Sequence, residues 1–182
     1  MRNIAVLREQ DVFGHQKGDA LNEPEFNLRT TVKAIAVFEG KICVVGNSIS
    51  HLYTLPGGGV EDNETYKEAV VREVLEETGV NLCVKRKIGV IEDFRLRDKK
   101  HYLNYCYYGT VNRIGLPQLT DEEQENGLHH VWLERSEIDR LFDFQLKLLK
   151  DGFVKYYNTC FNIKRDQLFL KSFYEKDLID WK

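Results

Sequence analysis

A chain of 182 residues, 42% hydrophobic and 30% charged, can bury one sizeable core but is short for two ordinary domains, and its composition excludes wholesale disorder. Its formal charge of −3 offers no basic field for nucleic acid or an anionic membrane surface, and no apolar run approaches the roughly 20 residues of a membrane span. Cys43, Cys83, Cys106 and Cys160 lie far apart with no CxxC pair, a pattern that fits free thiols in a reducing cytoplasm rather than a zinc site or a disulfide framework.

Residues 1–8 read as a short strand; the four apolar residues ahead of Arg8 are too few for the core of a signal peptide. Gly14, Gly18, Asp19, Asn22 and Pro24 make Gln10 to Asn27 a turn-rich connection, so residues 1–30 form an arm of strand and loop. Thr31–Phe38 and Lys41–Val45, β-branched runs on either side of Glu39-Gly40, predict a hairpin. A third strand spans His51–Leu55 and stops at Pro56-Gly57-Gly58-Gly59. The next segment predicts a helix from Thr65 to Thr78, ended by Gly79. Val80–Asp93 and His101–Val111 read as strands joined by a charged turn at Arg95–Lys100, and residues 112–127 as an acidic loop. His130–Leu133 is a short strand. Ser136 begins a helical segment running through residues 136–182, with apolar positions at Leu168, Phe169, Leu170, Phe173 and Leu178. Strands interleaved with helices argue an α/β sandwich around one sheet.

The chemistry concentrates between Gly58 and Val80. Residues three and four apart share a helix face, so Glu73, Glu76 and Glu77 project together while Val70, Val71, Val74 and Leu75 turn towards the sheet. Three like charges on one turn repel unless a cation lies among them, and an all-oxygen donor set suits Mg²⁺ or Mn²⁺. Arg72, next to Glu73 and one turn before Glu76, can orient a carboxylate; Glu64 brings a fourth carboxylate to the same end. The glycines at 57, 58 and 59 leave backbone bare enough for a phosphate oxygen or a metal to approach. A charged helix face alone is most often just a solvated one. The joint pattern carries more weight.

That pattern resembles the Nudix box, G-x5-E-x7-R-E-U-x-E-E-x-G-U with U aliphatic: Gly58, Glu64, Arg72, Glu73, Val74, Glu76, Glu77, Gly79 and Val80 fill every fixed position. Seven Gly, Glu or Arg identities at that spacing arise by chance on the order of once in 10⁶. The resemblance implies a Nudix-type α/β/α sandwich around a mixed sheet, with residues 1–182 forming a single domain. It also implies Mg²⁺-dependent (or Mn²⁺-dependent) hydrolysis of the pyrophosphate linkage in a nucleoside diphosphate derivative: ADP-ribose, a nucleotide sugar, a dinucleotide or a nucleoside triphosphate. By position, Glu73 and Glu77 resemble the principal metal ligands, Glu76 a further ligand or water-activating group, and the Gly58 carbonyl an additional ligand. Glu64 resembles the supporting carboxylate, and Arg72 the arginine that orients Glu73. Gly57, Gly58 and Gly59 would line the substrate.

Relatives take a proton acceptor from an acidic loop beyond the box, where Asp121, Glu122, Glu123 and Glu125 stand; Glu125, beside Gly127 and the returning strand, is the expectation. The window Phe94–Asp98 lacks the proline or tyrosine that marks ADP-ribose or dinucleotide cleavage, so the substrate stays open. Tyr102, Tyr105, Tyr107 and Tyr108 are either core or a base-stacking surface. Arg95, Arg97 and Lys99 could reach a phosphate, with a solvated turn as the expectation, and His15, His51, His101, His129 and His130 show no ligand spacing. The implied partner is a small molecule, with neither nucleic acid nor membrane. Two-fold dimers are common in the family, and the apolar C-terminal segment could contribute to one. A non-catalytic nucleotide-binding module and an isoprenoid-diphosphate isomerase are the alternatives, each disfavoured by the intact box.

Overall fold

A computed structural model describes residues 3–14 and 25–179. Its centre is β2 (Asn27–Phe38), whose alternating side chains serve two cores at once. Val32, Ala34 and Ala36 face a cluster with Ala69, Val70 and Val74, and Ile35 and Val37 face another with Ile138, Phe142, Phe161, Phe169 and Phe173. Burial on both faces accounts for the near-continuous apolar run, as expected of a strand covered by helices front and back.

The other elements are β1 (Asn3–Leu7), α1 (Glu9–Phe13), β3 (Lys41–Asn47), β4 (Tyr53–Thr54), α2 (Tyr66–Thr78), β5 (Val80–Arg95), β6 (Lys100–Ile114), α3 (Asp121–Glu125), β7 (Leu128–Glu134), α4 (Arg135–Lys150) and α5 (Tyr157–Tyr174). The strands form one seven-stranded sheet in the order β1-β5-β6-β2-β3-β4, with β7 also paired to β3. Pairs β1/β5 and β2/β6 are parallel and the rest antiparallel, giving the mixed α/β architecture expected. Helix α2 covers one face, and α4 and α5 cover the other.

One departure from a regular sheet places the functional residues. β2 and β3 keep register only at Val37↔Ile42 and Phe38↔Lys41 and then diverge. The chain after β3 fills the wedge. β4 pairs with Val45 and Gly46, and residues 56–60 run along β2, with Ala34 N donating to Pro56 O (2.9 Å), Val32 N to Gly58 O (2.9 Å) and Val60 N to Thr30 O (3.2 Å). The triple-glycine turn is thereby clamped to a buried strand.

Several expectations need correcting. The connection after β1 holds the short helix α1, and β2 begins at Asn27, inside the arm expected to end at residue 30; residues 15–24, with His15, lie outside the described residues. The acidic segment contains α3, started by a capping box in which Glu123 N donates to Thr120 Oγ1 (3.3 Å) and Thr120 N to Glu123 Oε2 (2.8 Å). The C-terminal segment is two helices. Phe169, Leu170 and Phe173 of α5 are buried in this chain's own core, so they offer no apolar face to a second copy. Tyr105 and Tyr107 are buried on the α2 side, which decides for core over base stacking. Arg95 is not a solvated turn residue: it is 2% exposed, and its Nε donates to Asp93 Oδ1 at 2.7 Å. All four cysteines are free thiols, as expected. Among the described residues no helix is long and apolar enough to cross a membrane.

Candidate active site

Helix α2 starts at Thr65 through a capping box with Glu68 and ends at Gly79, whose φ of 70° provides the left-handed cap. Ala69, Val70, Val74 and Thr78 are the buried stripe. Leu75, expected to pack inward, is 37% exposed, because the stripe advances by three and four residues and leaves position 75 on the flank. With that stripe held down, Glu73 and Glu77, one turn apart, face the 56–59 turn.

Contact between helix and turn is close. Gly57 N donates to Glu77 Oε2 at 2.7 Å. A Cβ built on Gly58 would lie 2.6 Å from Glu73 Cδ and 2.7 Å from its Oε1, so the Glu73 carboxylate rests on the bare Gly58 backbone. Gly57 has φ 128°, a conformation that disfavours any side chain, and a Cβ there would run into the Val32 carbonyl. The glycine signature therefore reflects two different constraints: backbone conformation at 57 and carboxylate approach at 58.

Arg72 gathers the remaining acids. Its Nη2 donates to Glu64 Oε1 (2.8 Å) and Gly59 O (3.0 Å), its Nε to Glu64 Oε2 (3.1 Å), and its Nη1 to Glu73 Oε1 (2.9 Å) and Glu76 Oε2 (3.0 Å). These bonds hold the Glu64 carboxyl below its ordinary range and push the Arg72 guanidinium further up. Burial pushes Glu77 up to about 7, opposed by Lys33 and the Gly57 N–H and helped by the charge of Glu73; burial also raises Glu73, opposed first by Arg72 and then by Lys33 and helped by the charge of Glu76. Burial of this kind disfavours the charge on the two carboxylates unless a cation lies beside them. Among the described residues no three acidic, histidine or cysteine side chains converge tightly on one point, since Arg72 lies among the carboxylates.

The structure thus brings Glu64, Arg72, Glu73, Glu76, Glu77 and Gly57–Gly59 together. Glu125 sits at the exposed end of α3; the α3 carboxylate whose charge registers at Glu77 is Glu123. His129 bridges Tyr53 Oη and Gly127 O at 3.0 Å each, and His101 pairs with Glu92 at 3.1 Å, so both are structural.

Sequence reasoning missed a buried polar layer on the far side of the same turn. Lys33 Nζ donates to Leu55 O at 3.1 Å and to Gly57 O; Asp166 Oδ2 accepts from Leu55 N (2.9 Å) and Asp166 Oδ1 from Arg165 Nε (2.7 Å). Gln145 takes both the N–H (2.6 Å) and the carbonyl (3.0 Å) of Tyr53. One signal was present: Lys33 stands between Val32 and Ala34 in the otherwise apolar run of β2.

A NUDIX domain model matches residues 27–152. A protein of Bacillus subtilis (strain 168) provisionally named an 8-oxo-dGTP diphosphatase is 38% identical over 80 residues, 44% of this chain and 50% of that one. The ADP-ribose pyrophosphatase of Methanocaldococcus jannaschii is 44% identical over 62 residues, 32% of this chain and 37% of its own length. This chain spans half or less of these relatives' lengths. Among solved structures, a NUDIX hydrolase from Nitrosomonas europaea superimposes with a TM-score of 0.61 at 18% identity, over 86% of this chain and 98% of that one, a likeness of fold.

Proposed function

Because the chain belongs to the NUDIX family, we propose that it is a hydrolase cleaving the pyrophosphate linkage of a nucleoside diphosphate derivative with the help of Mg²⁺ or Mn²⁺. The observation that carries this reading is the apposition of Glu73 and Glu77 to the Gly57–Gly58 turn, with Arg72 tying Glu64, Glu73 and Glu76 into the same site. The relatives' names, 8-oxo-dGTP diphosphatase and ADP-ribose pyrophosphatase, share phosphoanhydride chemistry and differ in the group attached, so the anhydride is the part carried over.

In chemistry the donors suit a hard divalent cation, which would draw on carboxylate oxygens of Glu73 and Glu77 and on the second lone pair of the Gly58 carbonyl, whose first is taken by Val32 N, with Glu76 joining them on leaving Arg72. Such an ion, when bound, would supply charge neutralisation for the anhydride and a more acidic water. Glu73 and Glu77 supply the negative charge that retains it, and the Gly58 backbone holds the Glu73 carboxylate in place. Arg72 fixes the rotamers of Glu64, Glu73 and Glu76, a contribution of positioning rather than chemistry. Glu123 and Glu125 of α3 are the two candidates for proton acceptance: Glu123 is the one whose charge is felt at Glu77, although its carboxylate also caps α3 through Thr120 N, and Glu125 stands at the exposed end of the helix. With Tyr105 and Tyr107 buried in the core, these two cannot stack on the substrate's base.

Incubation with ADP-ribose, a nucleotide sugar, a dinucleotide and (oxidised) deoxynucleoside triphosphates, each with Mg²⁺, Mn²⁺ or a chelator, tests the proposal. At least one compound should yield phosphorylated fragments only with metal, and Glu73→Gln should abolish that release while leaving the circular dichroism spectrum unchanged. Equal turnover by Glu73→Gln would refute the assignment of the site. Metal-dependent binding without cleavage of any compound would favour a nucleotide-binding module.

A further inference from the structure

The turn that faces α2 is held from behind by groups lying outside the signature motif. Between Tyr53 and Gly58 most backbone polar groups have a specific partner: Gln145 for Tyr53, Asp166 for Leu55 N, Lys33 for Leu55 O and Gly57 O, Ala34 for Pro56 O, Glu77 for Gly57 N and Val32 for Gly58 O. Three of the partners, Lys33, Gln145 and Asp166, are buried polar side chains, and Asp166 belongs to α5, beyond the residues that match the NUDIX domain. The bracing continues inward. Arg165 Nη1 donates to Asn104 Oδ1 and Asn162 Oδ1 at 3.1 Å each, Thr31 Oγ1 donates to Asn104 Oδ1 at 2.8 Å, and Asn104 Nδ2 donates to Asp93 Oδ2 at 2.8 Å. The turn is thus tied to β2, β5, β6 and α5 together.

Burying ions in this way is an unusual means of stabilising a fold, since well-packed apolar side chains often do as well or better. What the ions supply here is direction. Leu55 and Gly57 both aim their carbonyls at Lys33, while Gly57 aims its N–H the other way, at Glu77. Without Lys33, two carbonyls lose their donor inside the protein and the peptide planes rotate to find another. Rotation of the Gly57–Gly58 plane shifts the Gly58 surface on which Glu73 rests, and the Pro56–Gly57 plane, which carries the N–H bonded to Glu77, lies between the two planes set free.

We propose that Lys33 and Asp166 are positioning residues for the carboxylate site, a bridge from β2 and α5 that sets the 55–58 backbone against Glu73 and Glu77. The inference rests on the hydrolase reading above. Three variants test it: Lys33→Met, which keeps length and loses the donor; Asp166→Ala, which loses the acceptor; and Asp166→Asn, which retains an oxygen for Leu55 N. For each, kcat, KM, the half-saturating Mn²⁺ concentration and the melting temperature are measured.

Lys33→Met and Asp166→Ala should lower kcat about 10²-fold, the scale of a misplacement near 1 Å. They should also raise the Mn²⁺ requirement about tenfold and leave KM within about threefold, and Asp166→Asn should recover most of the loss. Folded variants with normal kcat and Mn²⁺ requirement would overturn the proposal. So would a loss of activity that merely tracks a lowered melting temperature, or failure of both Lys33→Met and Asp166→Ala to fold, because the bridge would then serve the fold and not the site. Glu73→Gln, run alongside, separates the two readings. An inactive Glu73→Gln beside a normal Lys33→Met defeats only the bridge, whereas an active Glu73→Gln defeats the site assignment itself.

Discussion

Replacing Gly58 by alanine should damage turnover far more than stability. The Gly58 backbone does not adopt positive φ, so a methyl group is conformationally tolerable there. Its obstacle is the Glu73 carboxyl, with Cδ at 2.6 Å and Oε1 at 2.7 Å from the new Cβ. Both must retreat by about 1 Å to reach ordinary contact, and they belong to the far end of a flexible side chain that can move without disturbing the helix. A carboxylate displaced by about 1 Å is expected to cost about 10²-fold in kcat, or about 2.7 kcal/mol of activation free energy. Gly57→Ala provides the contrast. There φ is 128° and the obstacle is the Val32 backbone, so the penalty, about 1–3 kcal/mol from backbone strain alone, falls on folding. Steady-state kinetics on the best substrate, paired with urea unfolding, separates the two: Gly58→Ala should lose rate and keep its midpoint, and Gly57→Ala should lose its midpoint. Wild-type kcat from Gly58→Ala would refute the claim that Glu73 must lie on that backbone.

Asp93→Ala removes the carboxylate that balances Arg95 and holds Asn104, stranding a buried guanidinium between the rings of Tyr102 and Phe161. It should cost about 3–5 kcal/mol, readable as a shift of roughly 10 °C in melting temperature; a shift below about 2 °C would contradict the burial argument. For pH, Glu77 sits at about 7 against an ordinary 4.5, so its protonated form favours the folded state, fully so below pH 4.5, and that contribution is lost as pH rises through 7. Added Mn²⁺ should consequently raise the melting temperature more at pH 8 than at pH 5.5, where protons compete for the same oxygens; an equal rise at both would contradict this. Of Glu123→Gln and Glu125→Gln, the one that removes the proton acceptor should lower kcat by at least tenfold while the other stays within about twofold, and near-normal kcat from both would remove α3 as the source of the proton acceptor.

Much of this site lies in contiguous sequence, which is why it could be read there. Helical periodicity puts Glu73 and Glu77 one turn apart on one side of α2, bordering the Val70–Val74 stripe, and Thr65 and Gly79 mark the ends of the helix. The remainder depends on long-range pairing. Nothing local to residues 53–60 tells that β2 and β3 diverge beyond Val37 and Ile42, away from their turn, yet that divergence is what seats the glycines beside α2. The bridge from Lys33 to Asp166 joins residues far apart in the chain, and a lysine within a β-branched run reads equally well as an edge position. Arg95 looked solvated because its sequence neighbours are charged; only the packing of α5 over β5 shows that it is enclosed. The capping signal at Thr120 and Glu123 was local, but the density of acids around it suggested a loop.

Manganese binding to the substrate-free protein, followed by electron paramagnetic resonance, tests the site most directly. Wild type should take up Mn²⁺ at pH 8, with Glu73→Gln and Glu77→Gln each weakening the affinity at least tenfold. Uptake of the ion with the same affinity by all three proteins, or by none of them, would contradict the account.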